Sequence, residues 1–465
     1  MLAEPSFVER IAVVGGGTVA LLAALALARA LPRSTVMHVP SAVPDEAMAD
    51  HAVSGEDALQ ALHRRLGIAE QLLLARAGAS HWLATCYRGF GARPEFLVGH
   101  GAAPRDEAGG FAAEPSLAAL LAAEERFLAA EQDGGDAVDP LLRFAPDAYR
   151  EGLAILAGQA GVRRTPYAAG PAAYGGVALV DGTVLHADLL IDATGCGWLR
   201  DAQGPAAWVN WHGHDQLVWG ARLSVPAAAL PSLCDTITAC DSGYLVAQPG
   251  RHAMFWTALW AGSDAEAPML RSLAAASGAA PGAPFRIRPG RRTTPWQGKV
   301  LAIGDSAARF APLGSGNLHL AAAQISLLLE LLPSGTAPFA EAGEYNRRAS
   351  LLIDDAHDFV RCQQGGAGSA ALAQRIDQFR RRGWVPALSE GLIAVDRWSQ
   401  LLMGLGHGPG VLPRARAIPQ ETLEGMARQR HQQRSAQLEL ARPYAEWIAA
   451  RHSRKAGGDP HPRPL

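Results

Sequence analysis

The stretch VVGGGTVA near the start of the chain limits the possible folds more than any other feature. Four apolar residues, Ile11–Val14, precede three glycines, and an Ala/Leu-rich helix pattern begins at Thr18. Gly15, Gly17 and Ala20 form the pattern G-x-G-x-x-A, whose small residues allow a tight turn and let a pyrophosphate approach the helix N-terminus. We therefore predict a βα unit that binds a dinucleotide at this turn and at the first turn of the helix.

The next predicted strand lacks the acid that usually accompanies this pattern. The stretch STVMHVP predicts the strand, which ends near Val39 and Pro40. An acid about 20 residues after the glycines normally binds the adenosine ribose. Here Asp45 and Glu46 come only beyond the strand, so we expect low affinity for the adenosine half of a dinucleotide.

Two further buried strands end in acids. LLIDATG places Asp192 and Gly195 after one strand, either as cofactor contacts or as an ordinary exit from strand to turn. VLAIGDSAARFAPLGSGNLHLA places Gly304 and Asp305 after the other, before a Pro/Gly loop at 312–318 and a long apolar helix pattern. An acid at Asp305 suits the hydroxyl groups of a ribityl chain, and the helix start can present N–H groups to a flavin ring.

The composition indicates a large core and no strong net charge. Of 465 residues, 49% are apolar and 18% charged, with a net charge of -2, so neither nucleic acid nor a membrane is an expected partner. The uncharged run 11–28 is split by glycines into pieces too short to span a bilayer.

Five cysteines without a C-x-x-C predict reduced thiols and a cytoplasmic protein. His212 and His214 lack a third ligand at a typical spacing, so we expect no metal site.

The predicted cofactor strands lie far apart in the chain, which indicates one α/β cofactor domain with substrate-binding pieces inserted between its segments. Residues 90–115 are rich in Gly and Pro and predict a loop. The expected organisation is a cofactor domain from 1–60, 145–200 and 285–330, substrate-binding segments at 61–144 and 201–284, a helical region at 331–455 and a disordered tail at 456–465.

Together these stretches resemble the flavin-dependent tryptophan halogenases, a branch of the flavoprotein monooxygenases. IAVVGGGTVA, VSGEDALQALHRRLGIAEQLLLARAGAS and FRIRPGRRTTPWQGKVLAIGDSAARFAPLGSG are each similar to a motif of that family. The resemblance implies FAD as cofactor, a Rossmann-like FAD-binding domain of the p-hydroxybenzoate hydroxylase type, an inserted β-rich substrate domain and a helical C-terminal region. It also implies that Glu56, Pro312, Gly314 and Gly316 belong to the cofactor-binding residues.

The chain departs from the halogenases at the residues that deliver the halogen. Those enzymes carry a lysine after the first long helix, whose amine directs hypohalous acid, and Trp82 stands at the matching place here. They also carry a glutamate in the loop after the Gly-Asp strand, where this chain has Gly314. Their W-x-W-x-I-P box is reduced to YLVAQP at 244–249. We therefore do not expect halogenation.

Hydroxylation of an aromatic ring needs neither missing group. Reduced flavin and O₂ form a C4a-hydroperoxide with an electrophilic distal oxygen, so the protein has only to exclude water and hold an electron-rich ring nearby. Flavoproteins that hydroxylate a protein tryptophan during tryptophylquinone biogenesis are similar in scaffold and lack the same pair. We expect a monooxygenase acting on an indole-like ring, with a peptide or protein carrying Trp as a candidate substrate. Its electrons come either from a separate flavin reductase or from NAD(P)H bound directly.

Four residues are candidates for catalysis or positioning beside a cavity with no amine, namely His81, Trp82, Asn317 and His319. His319 is either an acid or base or a packed histidine of the helix, and Trp82 is expected to form pocket wall. Two alternatives remain open, a divergent halogenase with a relocated lysine and a catalytically inactive flavoprotein-fold binding partner.

Overall fold

The structure is a computed structural model. It describes residues 7–91, 93–105, 111–112, 114–128, 138–173, 176–202, 204, 207–211, 218–226, 232–311, 313, 316–335, 338–365 and 368–456. The strands of these ranges are β1 (Arg10–Val14), β2 (Thr35–Val39), β3 (Ser54–Gly55), β4 (Ser80–Trp82), β5 (Ala84–Arg88), β6 (Glu95–Gly99), β7 (Arg126–Phe127), β8 (Leu141–Arg143), β9 (Arg163–Arg164), β10 (Ala169–Ala173), β11 (Gly176–Leu179), β12 (Val184–His186), β13 (Leu189–Asp192), β14 (Trp208–Asn210), β15 (Val218–Pro226), β16 (Cys234–Cys240), β17 (Gly243–Pro249), β18 (Ala253–Ala261), β19 (Phe285–Ile287), β20 (Gly290–Arg292), β21 (Trp296–Gln297), β22 (Val300–Ala302), β23 (Ala308–Arg309) and β24 (Arg442–Pro443). The helices are α1 (Thr18–Ala30), α2 (Asp57–Arg65), α3 (Glu70–Arg76), α4 (Leu117–Ala123), α5 (Pro146–Gln159), α6 (Trp198–Asp201), α7 (Glu266–Ser277), α8 (Gly316–Glu330), α9 (Glu341–Gln363), α10 (Ala370–Arg382), α11 (Val395–Gly404), α12 (Gln420–Leu440) and α13 (Tyr444–Ala456).

A mainly parallel sheet joins the strands that lie far apart in the chain. Its order is β21-β22-β13-β1-β2-β9, and only β21 is antiparallel to its neighbour. Ile11 of β1 is opposite Leu189 of β13, and Leu190 is opposite Val300 of β22. The three strands predicted for the cofactor domain thus lie side by side in one sheet, and their carboxyl ends meet at one edge.

Both faces of this sheet are covered, which explains why its strands read as uninterrupted apolar runs. Ile11 and Val13 belong to a core cluster that includes buried residues of α1, α5 and α8. Ala12 and Val14 face a second cluster that includes residues of β11. Ten consecutive residues of α1, from 18 to 27, are buried, as expected for a helix that is apolar on all sides.

A second, seven-stranded sheet has the order β19-β15-β18-β17-β16-β5-β6. Its neighbours are antiparallel except for β16 and β5. The predicted loop at 90–115 is wrong where β6 pairs with β5. Gly89 and Gly91, with φ of 75° and 64°, form the hairpin turn. The prediction failed because these turn residues stand directly before a strand of only five residues.

The C-terminal part is helical, as predicted, with a break at 405–419 between α11 and α12. Helix α8 begins at Gly316, two residues before the predicted start at Leu318. The expected disordered tail lies outside the described residues from position 457 onward. No helix within the described ranges combines the length and apolar character needed to cross a membrane.

A buried ion pair connects the seven-stranded sheet to the small sheet β3-β8-β4. Arg143 of β8 donates from Nε to Asp235 of β16 at 2.6 Å, and from Nη1 to the carbonyls of Ser232 and Pro249 at 2.6 and 2.7 Å. The exposed fractions of the Arg143 and Asp235 side chains are 0% and 3%. Because β8 pairs with β3, which leads into α2, and with β4, which carries Trp82, this pair helps to fix the positions of both.

Replacing Arg143 by Met should lower the free energy of unfolding by about 3–5 kcal/mol, since it leaves the Asp235 carboxylate buried and uncompensated. Denaturant unfolding followed by circular dichroism measures the change. Arg88→Met is the matched control, because its ion pair with Glu95 is exposed and should cost at most about 1 kcal/mol. Equal losses in the two variants would contradict the assigned role of Arg143.

Candidate functional site at the sheet edge

The glycine turn after β1 brings three backbone segments close together. Gly15 has a φ of 155°, and its N–H donates to the carbonyl of Val39 at 3.0 Å. A Cβ atom on Gly15 would lie 2.2 Å from the carbonyl oxygen of Ala193 and 2.9 Å from the Cβ of Ala20, so only glycine fits. Thr18 and Ala20 are buried in the first turn of α1.

A loop formed by residues 41–50 covers this turn. A Cβ atom on Gly16 would lie 2.0 Å from the carbonyl oxygen of Ser41. One on Gly17 would lie 2.1 Å from the carboxyl carbon of Asp50. The glycine turn that the sequence predicts is therefore present. Residues of the 41–50 loop occupy the space directly above it.

Specific hydrogen bonds hold the 41–50 loop in place. The Asp50 carboxylate accepts from the N–H of Val19 at 2.9 Å, so it occupies the N-terminus of α1, where an anion would otherwise bind. Arg222 and Arg150 donate to backbone carbonyls of the loop at 2.8 and 3.0 Å. Burial raises the pKa of Asp50 to about 7.

Asp305 lies at the same edge, after Gly304, whose φ is 64°. One carboxylate oxygen accepts from the N–H of Ala49 at 2.7 Å, and the other accepts from Nδ2 of Asn317 at 2.9 Å. Burial raises the pKa of Asp305 to about 6, and its charge contributes to the raised pKa of Asp50. The carboxylates of Asp50 and Asp305 are thus both buried at this edge.

Asp192 uses its oxygens to shape the turn that follows β13. Its carboxylate accepts from the N–H and hydroxyl of Thr194 at 3.1 and 2.7 Å, and from the N–H of Arg200 at 2.8 Å. Gly195 has a φ of 78°, and a Cβ there would lie 2.6 Å from the Cβ of Ala47. For Asp192 the geometry supports the ordinary strand exit.

Glu56 pairs with a residue 341 positions later in the chain. Its carboxylate accepts two hydrogen bonds from the guanidinium of Arg397, one of them at 3.2 Å. Burial alone would raise the pKa of Glu56, but Arg397 and then His319 outweigh it and hold that pKa below its ordinary value. Glu56 therefore stays ionised and anchors the C-terminal helices to the start of α2.

The pair lines a small space that we call the inner cavity. Its other walls include Asn317, Phe359 and Gln363, and its volume is about 20 Å³. A cavity of this volume holds about one water molecule and no indole ring. The open cavity expected from the sequence is closed in this structure by its own side chains.

The surroundings of His319 favour the packed-histidine alternative. Its Nδ1 accepts from the N–H of Ala58 at 3.3 Å, and its Nε2 donates to the carbonyl of Leu392 at 2.9 Å. Glu56 lies 4.0 Å from Nδ1. Both ring nitrogens of His319 are thus occupied, and its nearest link to the inner cavity is Glu56, which lines it.

His81 and Trp82 follow each other in β4 and therefore point to opposite faces. Trp82 is buried, donates to the carbonyl of Ala84 at 2.8 Å, and its ring centroid lies 3.9 Å from that of His100. His81 lies instead within 3.2 Å of the hydroxyl of Tyr444. The structure thus places Trp82 in the packing against His100 and His81 in the packing of the C-terminal helix.

Some predicted residues cannot be placed, and others were missed. Pro312, Gly314, His212 and His214 lie outside the described residues. Within the described ranges, no group of three His, Cys, Asp or Glu side chains could hold a metal ion. The missed residues are those that close the site, namely Asp50, His100, Arg150, Arg222, Gln363 and Arg397. For Asp50 alone, the length of the segment between β2 and β3 was a signal that a loop stands there.

The parallel sheet, glycine turn and acid at the end of β22 define a flavoprotein with an inserted substrate domain. The sequence profile of the tryptophan halogenase family matches residues 10–420. The chain belongs to that family, whose members use FAD. No curated protein is similar enough in sequence to match the chain.

Solved structures of flavin-dependent halogenases share this fold. Xcc4156, from Xanthomonas campestris, has a TM-score of 0.83 and 21% identity, covering 96% of this chain and 98% of that one. BrvH, from Brevundimonas sp. BAL3, has a TM-score of 0.82 and 20% identity over 95% and 99%. MibH, a lanthipeptide tryptophan 5-halogenase, has a TM-score of 0.79 and 21% identity over 97% and 94%.

The fit of FAD to this edge depends on the 41–50 loop. Gly15 and Gly17 provide the close approach that a pyrophosphate needs, and Asp305 is a buried acceptor at the neighbouring strand end. In the present conformation, however, Asp50 fills the space above Gly17. The residues therefore suit FAD only after the 41–50 loop has moved away.

Asp50→Asn tests the electrostatic state of this edge. The pKa of Asp50 is raised in the folded protein, so its contribution to stability is complete below pH 4 and is lost as the pH rises toward 7. Removing the charge while keeping an acceptor for Val19 should flatten the fall in unfolding free energy over that range, by up to about 4 kcal/mol.

Denaturant unfolding at a series of pH values between 4 and 7 measures this slope. Asp45→Asn is the control, because the Asp45 side chain is 78% exposed and should leave the slope unchanged. An Asp50→Asn protein with the wild-type slope would show that Asp50 does not titrate in this interval.

Proposed function

We propose that this chain is an FAD-dependent monooxygenase that hydroxylates an electron-rich aromatic ring of the indole type. Family membership establishes the coarser activity, a flavin-dependent oxidation of aromatic substrates. The choice of hydroxylation over halogenation is our inference. It depends on which side chains are present at the edge that carries Asp305.

The absence of a suitable lysine is the observation that carries this choice. Lys299 and Lys455 are the only lysines in the sequence. Lys299 is exposed in the turn directly before β22, and Asp305 follows the other end of that strand. Lys455 stands in the last turn of α13. The position that matches the family's lysine holds Trp82, whose indole is buried.

In the proposed reaction, the residues of this chain bind the cofactor and exclude water. FAD, once bound and reduced, supplies activated oxygen for insertion into an aromatic ring. With the 41–50 loop displaced, Asp305 has an oxygen free to accept a hydroxyl donor, and the N–H of Val19 is free to bind an anion. Trp82 and the Glu56–Arg397 pair keep water away from the ring.

We further propose that the ring belongs to a peptide or protein tryptophan and that a separate flavin reductase supplies the electrons. MibH acts on a lanthipeptide tryptophan, which shows that this fold can serve a peptide-linked ring. The chain's net charge of -2 gives no electrostatic preference for a particular peptide.

Product analysis separates the two chemistries. The protein is incubated with FAD, a flavin reductase, NADH, O₂, bromide and a tryptophan-containing peptide, and products are analysed by mass spectrometry. We expect a gain of one oxygen on the indole. A bromine isotope pattern would establish the halogenase alternative.

Asp305→Asn should lower the rate of oxygen incorporation by about tenfold or more, because it replaces a charged acceptor by an amide at the strand end. Asp354→Asn is the control, since Asp354 is a partly exposed residue of α9 that pairs with Arg291. Equal rates in the two variants would remove Asp305 from the proposed site.

Asp50→Ala should strengthen FAD binding. The substitution removes the carboxylate from the α1 N-terminus and weakens the 41–50 loop, so the dissociation constant for FAD should fall by about tenfold. Quenching of flavin fluorescence measures binding. Asp45→Ala in the same loop should match the wild type.

The catalytically inactive binding partner is the second candidate, favoured by the same closed conformation. Asp50 occupies the space above Gly17, and the side chains around the inner cavity leave a volume of only about 20 Å³. If neither the wild type nor Asp50→Ala binds oxidised or reduced FAD, this candidate replaces the monooxygenase.

A further inference from the structure

Two cysteines of neighbouring strands lie side by side on the seven-stranded sheet. Strands β5 and β16 are parallel, and their register sets Cys234 opposite Ala84 and Thr236 opposite Cys86. Side chains two residues apart on a strand share a face, so Cys86 and Cys234 are diagonal neighbours on one face. Their side chains are hydrogen-bonded to each other, and both are free thiols.

The face that carries this pair is the less buried face of β16. Asp235 and Ile237, which point to the other face, are buried. Cys234 and Thr236 are half-buried, and Cys86 on the neighbouring strand is 7% exposed. The two sulfur atoms therefore lie near the surface of the sheet, within reach of a small uncharged molecule.

The surroundings of Cys86 stabilise its thiolate. The hydrogen bond from Cys234 lowers the pKa of Cys86 to about 7 against the effect of burial. The guanidinium of Arg88 acts in the same direction, and Glu95 opposes it. The same hydrogen bond and burial raise the pKa of Cys234. Cys86 is thus the member of the pair that can attack an oxidant, because the thiolate is the nucleophilic form.

We infer that Cys86 and Cys234 form a peroxide-reactive dithiol that closes to a disulfide between β5 and β16. The Cys86 thiolate attacks one oxygen of hydrogen peroxide, so an S–O bond forms, the O–O bond breaks and hydroxide leaves. Cys234 gives its proton to this hydroxide, and its sulfur attacks the sulfenic sulfur of Cys86. The S–S bond forms as the S–O bond breaks, and the second hydroxide takes up the proton that Cys86 had released. Two thiols lose two electrons, and one peroxide becomes two water molecules.

The cofactor of the family can supply this oxidant. Reduced flavin that meets O₂ without passing oxygen to a substrate is oxidised, and O₂ gains two electrons and two protons to become hydrogen peroxide. The dithiol would therefore record turnover that fails to reach a substrate. The inference does not depend on whether the productive reaction is hydroxylation or halogenation.

The position of the pair gives the disulfide a structural consequence. Cys234 is the first residue of β16, and the next residue, Asp235, forms the buried ion pair with Arg143. An S–S bond is about 2.05 Å long, which is shorter than a contact between two thiols. Oxidation should therefore draw the start of β16 toward β5 directly beside that ion pair.

Peptide mapping of the full-length protein tests the inference. The reduced protein is treated with hydrogen peroxide without added flavin, and the remaining thiols are blocked with N-ethylmaleimide. Digestion with trypsin and endoproteinase Asp-N, which cuts before Asp235, separates Cys234 from Cys240. We expect one linked pair of peptides, carrying Cys86 and Cys234, and label on the other three cysteines. Dithiothreitol added before blocking should restore the label on all five.

Single substitutions separate the attacking thiol from the resolving thiol. In Cys234→Ala, Cys86 should be oxidised about tenfold more slowly at pH 7, because the hydrogen bond that stabilises its thiolate is lost. Its product should be a sulfenic acid that dimedone traps. In Cys86→Ala, Cys234 should stay reduced under the same treatment. Cys240→Ala is the matched control, because it removes the thiol at the other end of β16 and should keep the link.

Three results would overturn the inference. They are label on all five cysteines after peroxide treatment, a link that includes Cys196, Cys240 or Cys362, and a link between two protein molecules in non-reducing electrophoresis. Circular dichroism checks that the alanine variants are folded. Because the measurement contains no flavin and no aromatic substrate, failure of the proposed function leaves its result intact.

Discussion

The parallel pairing of three strands that are distant in the chain is the constraint on which the rest of the structure depends. Because β1, β13 and β22 run in the same direction, their carboxyl ends meet, and the residues that follow them are forced together. Gly15 and Asp305 become neighbours for this reason. The same geometry requires that whatever fills the edge satisfy the N–H groups at the start of α1.

Buried charges at this edge are tolerated because each has a specific partner. Arg397 compensates Glu56, and Arg143 compensates Asp235, as buried charges require. Among the residues that the structure describes, Asp50 and Asp305 have no cation within ion-pair distance, and they accept backbone and amide N–H groups instead. Burial raises the pKa of Asp50 to about 7 and that of Asp305 to about 6, so the charge at this edge changes between pH 5 and pH 8.

The sequence predicted what local patterns encode. Apolar runs that end in glycine or an acid predicted β1, β13 and β22, and the family motifs extended this to the sheet and to the cofactor. The 41–50 loop has no periodic pattern, and its position is set by Arg150 and Arg222, which are distant in the chain. Arg397 likewise follows Glu56 by 341 residues. Such contacts have no local signal, so the closed state of the site could not be predicted.

The loop and the inner cavity are linked through one carboxylate. Asp305 accepts from Ala49 of the 41–50 loop with one oxygen and from Asn317 with the other, and Asn317 lines the inner cavity beside Gln363. Displacement of the loop therefore removes one of the two donors that hold Asp305, and any shift of that carboxylate reaches Asn317. The free energy needed to open the loop makes the free energy of cofactor binding less favourable by the same amount.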